Sequence, residues 1–91
     1  MSEDKNSPEA NVNPPKLRDQ TFGEKAVGLS FNPSGDPLVN RVKELFAEII
    51  DICAAGRETA GRGEAGRLYS IAITEAQGAQ MWAVKAATWK D

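Results

Sequence analysis

Arg67 and Ser70 stand three positions apart in a stretch of helical spacing, so they share one face a turn apart. A guanidinium offers a planar fork of donors suited to phosphate, and a hydroxyl adds a further contact. The same pair also reads as a solvated arginine beside a small surface serine. Lys85 lies between Trp82 and Trp89 in an otherwise apolar stretch. Either it reaches a ligand, or a carboxylate such as Glu75 of another chain, or it lays its stem along a tryptophan and keeps its amine in water. Phe31 precedes a turn and a helix start. A ring there can stack on a base while the helix end favours an anion; alternatively it staples the preceding segment to the helix. Lys43 projects from that helix one to two turns in, where a plain solubilising charge is the simplest role. Arg57 and Arg62 flank glycines, as an anion clamp or as solvated side chains.

Composition removes whole classes of chemistry. There is no His, so His-dependent acid–base catalysis and Ser-His-Asp or Cys-His nucleophilic catalysis are excluded. Glu75 has no acidic partner at i±3 or i±4 for a carboxylate pair. Glycines 61, 63 and 66 follow no strand and precede no Gly-Lys-Ser/Thr, so they form no phosphate loop. A single Cys gives neither an internal disulfide nor, without His, a zinc site. The formal charge is −2, and acidic and basic groups are balanced over residues 37–91. A duplex-binding surface needs a basic surplus, so binding to DNA or RNA is disfavoured. No membrane-length apolar run and no charged-then-apolar leader appear, which predicts a cytosolic chain with one unpaired thiol.

The elements that must position these residues follow from pattern. Residues 1–20 hold few hydrophobes (Met1, Ala10, Val12 and Leu17) among prolines and charges, and read as a mobile polar tail. Residues 21–91 form the one domain, too short for a comfortable core by itself. Residues 21–31 are punctuated by glycine without helical spacing, which predicts an extended arm. Asp36-Pro37 is a helix start, with Asp as N-cap and Pro at the first helical position. The first helix is expected over about 37–55, ending at Gly56, with residues 57–63 as a loop. Leu38, Val42, Leu45, Ile49 and Ile52 make a heptad seam, and Val39, Phe46, Ile50 and Cys53 a second apolar row. The second helix is expected over about 64–90. One of its rows, from Ala65 to Ala86, is mostly alanine and suits close helix approach; Ile71, Met81, Trp82 and Trp89 crowd another side. Such a helix is too apolar around its circumference for a two-helix monomer. The fold class is therefore all-α: an antiparallel helical hairpin that assembles into a compact homo-oligomer.

Residues 31–86 resemble a known family. The pattern is an aromatic followed by Asn/His-Pro, a basic residue twelve positions on, then Arg-x-x-Ser-x-Ala and, further along, Ala-x-Met-Trp-Ala-x-x-Ala. Here these are Phe31-Asn32-Pro33, Lys43, Arg67, Ser70, Ala72, Ala79, Met81, Trp82, Ala83 and Ala86. The chain is similar to the helical-hairpin proteins of phage immune evasion, which include the anti-CBASS sponges and the Thoeris anti-defence proteins. The resemblance implies a non-enzymatic oligomer, typically a hexamer, in the cytoplasm of the infected bacterial host. It would sequester cyclic dinucleotides, cyclic trinucleotides or cyclic ADP-ribose-type messengers without cleaving them and without a cofactor. By position, Phe31 would stack on a base and Lys43, Arg67 and Ser70 would hold phosphates; Lys85 joins them as a ligand candidate.

Three departures stand out. The family's frequent Tyr is Phe31, its His is Asn32, and its Trp-Ala-Asn is Trp82-Ala83-Val84. A hydroxyl and an amide are thereby lost. The competing reading is a purely structural hairpin oligomer or adaptor, for which loss of the Arg67 guanidinium would change nothing measurable.

Overall fold

The computed structural model describes residues 19–91, and the predicted tail lies almost wholly outside them. Three helices follow in order: α1 (Phe22–Ala26), α2 (Pro37–Ala60) and α3 (Glu64–Ala87). There is no strand among the described residues. α2 and α3 form the expected hairpin. Gly56, near the end of α2, meets Tyr69 at the start of α3, while Val39 and Val84 line one cavity at the opposite end. Those two pairings make the helices antiparallel.

The start of α2 is as predicted: the Asp36 carboxylate accepts from the Leu38 amide at 2.9 Å, and Pro37 occupies the first turn. Its end is not. The helix runs through Gly56 to Ala60, so the joining loop is only residues 61–63 and Arg57 is helical. Gly61 (φ 69°) and Gly63 (φ 107°) supply the left-handed backbone that makes this short link possible. α3 stops at Ala87, with Thr88 Oγ1 donating back to the Val84 carbonyl at 2.9 Å and Trp89 outside the helix.

The extended arm is also corrected. Thr21 and Glu24 form a reciprocal capping box, with the Thr21 hydroxyl accepting from the Glu24 amide and the Glu24 carboxylate accepting from the Thr21 amide. The resulting helical turn sits on α2. The Gly23 amide donates to Asp51 Oδ1 at 2.7 Å, and a side chain at Gly23 would overlap the Ala47 carbonyl. Val27 then enters the core.

That core is small: Val27, Ala47, Ile50, Ile73 and Ala76, flanked by Leu29, Phe46, Cys53 and Ala54. It uses the second apolar row of α2. The heptad seam points outward, with Leu38, Leu45, Ile49 and Ile52 all exposed. On α3, Leu68, Ile71, Met81 and Trp82 are exposed as well. A single chain therefore leaves most of its large side chains uncovered.

Candidate functional site

The loop 27–36 closes the open end of the hairpin. Phe31 donates its amide to the Gly28 carbonyl at 2.9 Å, and Gly28 takes the left-handed conformation that the turn needs. Beyond it, Asn32 Nδ2 donates to the Asp36 carbonyl at 3.1 Å, and the Ser34 hydroxyl donates to Asn32 Oδ1 at 2.9 Å. Asn32 thus shapes the turn through both ends of its amide.

Under this loop lies Lys43, 5% exposed and buried in the hairpin. Its ammonium donates to the Gly28 carbonyl at 2.9 Å and to the Phe31 carbonyl, and it sits 5.6 Å from the centre of the Phe31 ring. Burial pushes its pKa down, because desolvation penalises the charged form. A solubilising surface charge it is not. The Phe31 ring itself is 70% exposed, so it does not staple the preceding segment by burying itself. It lines a cavity of about 260 Å³ together with Val84 of α3 and Thr88 just beyond that helix. Val84, where the resemblance leads one to expect an asparagine, gives this cavity an apolar side chain.

Arg67 and Ser70 stand roughly 20–25 Å away along α3, at 1.5 Å per residue. Arg67 is exposed and held by Glu64, with Nε donating to Oε1 at 2.9 Å. The pairing lowers the Glu64 pKa and raises that of Arg67. Ser70 turns toward α2, where its hydroxyl accepts from Arg57 Nη1 at 3.2 Å. Arg57 also lies 5.8 Å from the centre of the Phe22 ring, so one guanidinium links all three helices. Pattern reading missed this role, because Gly56 as a helix stop had placed Arg57 in a loop.

Lys85 lies 5.9 Å from the Trp82 ring, along its own helix. Trp82, Lys85, Ala86 and Trp89 line a shallow concavity of about 460 Å³. A second apolar concavity, about 380 Å³, runs beside Cys53, Leu68 and Tyr69. Within one chain only Phe31 and Lys43 come together; Arg67 pairs with Glu64, Ser70 with Arg57, and Lys85 lies beside Trp82. Among the described residues no cluster of His, Cys, Asp or Glu is placed to hold a metal, and no helix is long and apolar enough to cross a membrane.

Fold and site together describe a helical-hairpin domain with an aromatic-walled cavity at its open end and broad uncovered apolar faces. Residues 24–88 match the model of the Acb2/Tad1 hairpin domain family, most of the chain, and the protein belongs to that family of anti-CBASS and anti-Thoeris sponges. The family is associated with sequestering cyclic-nucleotide signals in phage evasion of host defence, and its members are non-catalytic. No curated protein and no solved structure gives a significant match to the chain.

Proposed function

We propose that this protein is a phage sponge acting in the cytoplasm of the infected bacterium, sequestering cyclic dinucleotides, cyclic trinucleotides or cyclic ADP-ribose-type messengers without cleaving them. The family match over residues 24–88 carries this reading. The exposed Phe31 ring beside a cavity of about 260 Å³ supports it, since a base can stack there on an otherwise unpacked aromatic. Phe31 is the base platform, with Lys43 at its foot. Arg67, Ser70 and Lys85 supply donors to phosphates. Because these groups are far apart within one chain, complete sites form between chains, in a homo-oligomer such as a hexamer. The uncovered seam of α2 and the Leu68, Ile71, Met81 and Trp82 faces of α3 give that assembly its contact area.

The test is to mix the protein with a panel of cyclic dinucleotides, cyclic trinucleotides and cyclic ADP-ribose isomers, weigh the complexes by native mass spectrometry, then denature and recover the ligand. Intact ligand at a fixed ratio to subunits is expected. Degraded ligand, or no binding across the panel, would overturn the reading and leave the structural-oligomer alternative.

A further inference from the structure

We propose that Lys43 serves the ligand through Phe31, as a positioning residue that holds the stacking ring out, and does not itself grip phosphate. The inference rests on the sequestration reading for its ligand and on the geometry of the loop for everything else. An ammonium has three donors and no acceptor. Two of those donors are committed, to the carbonyls of Gly28 and Phe31, at the two ends of one tight turn. The Gly28 carbonyl also receives the Phe31 amide at 2.9 Å, so the lysine and the backbone close the same turn.

Phe31 is the residue that most needs such a restraint. Its ring is 70% exposed and apolar, on a loop, next to an apolar cavity into which it can fold. A ring left to itself moves to cover apolar surface. Gripping the Phe31 carbonyl from below fixes the backbone from which the ring projects, and the charge 5.6 Å from the ring centre draws its face toward the ammonium. For Lys43 to swing out to a phosphate in solvent, it would have to give up both carbonyls, and that of Phe31 would lose the donor that holds it in a half-buried turn, which is unfavourable. The buried lysine thus orders the platform before ligand arrives, and the ligand is spared that ordering.

Two variants and two readouts test this. In Lys43→Met, hydrogen exchange at the Phe31 amide should rise roughly tenfold or more without any ligand, the equivalent of one lost hydrogen bond. Phe31→Ala keeps the carbonyl that Lys43 holds, so its exchange in this turn should stay close to wild type; a loose turn there would count against the clamp. Binding of a cyclic dinucleotide of adenine and a cyclic trinucleotide of adenine should weaken in both variants, and the double variant should bind no worse than Phe31→Ala. The salt dependence of binding should be the same in Lys43→Met as in wild type. Normal exchange in Lys43→Met with lost binding would overturn the proposal, as would losses that multiply or a salt slope reduced by one charge contact. Failure of wild type to bind any ligand would defeat the sponge reading alone, since the exchange measurement still decides the clamp.

Discussion

The phenol ring of Tyr69 occupies the space that a side chain at Gly56 would fill: a Cβ there would lie 2.4 Å from the ring's Cζ. Gly56 is therefore a contact residue inside α2, set against the Tyr69 ring of α3, and not the end of the helix. Replacing it with alanine tests this directly. Alanine is the better helix former by about 1 kcal/mol, so an uncrowded position would gain stability. Gly56→Ala should instead lower stability by about 1–3 kcal/mol through overpacking, read as a fall in Tm. Combining it with Tyr69→Ala should remove most of that specific penalty.

Glu64 holds the Arg67 guanidinium that the proposed function assigns to phosphate. The pair is exposed and one helical turn long, so it contributes little to the fold. Glu64→Gln frees the guanidinium, and binding of a cyclic trinucleotide should tighten, by about two- to fivefold on the usual strength of such pairs. Isothermal titration measures it. Unchanged affinity would show that Arg67 does not touch the ligand.

A charge on the outward seam of α2 separates a working interface from bare surface. Ile52 is 69% exposed in the single chain, so Ile52→Glu leaves the hairpin's own core intact. Light scattering after size exclusion should show a smaller particle than wild type, while circular dichroism reports retained helix. An unchanged mass would place the interface elsewhere.

Lys43 gives the stability a particular pH dependence. Its folded pKa is below the ordinary lysine value, so between the two values the unfolded chain binds more protons than the folded one. In that window stability rises with pH from this group. The unfolding free energy of wild type relative to Lys43→Met should therefore shift in favour of wild type as pH climbs from neutral into the lysine range. Denaturant titrations across that range measure the difference, and a flat difference would contradict the burial.

Much of this molecule was legible in the residues. Asp36-Pro37 marked the start of α2 because an N-cap and a helix-ready φ are local properties. The hairpin and its family followed from apolar spacing and from the run Met81-Trp82-Ala83 with Arg67 and Ser70 upstream. The capping box at Thr21 and Glu24 was equally local, and only the glycines nearby obscured it.

Tertiary structure decided the rest. Spacing alone cannot say which of two apolar rows faces the partner helix, since both satisfy the same period; packing turned Val39 and Ile50 inward and left Leu45 and Ile52 outside. A glycine in sequence reads as a stop, but at Gly56 and Gly23 it admits a neighbour, which depends on how closely two elements approach. Lys43 looks like surface charge until the loop 28–31 folds over it and presents two carbonyls. Residue types fixed the available chemistry of this chain, because donors, rings and apolar faces are intrinsic to side chains. Which of them meet was a matter of distance, and distance belongs to the fold.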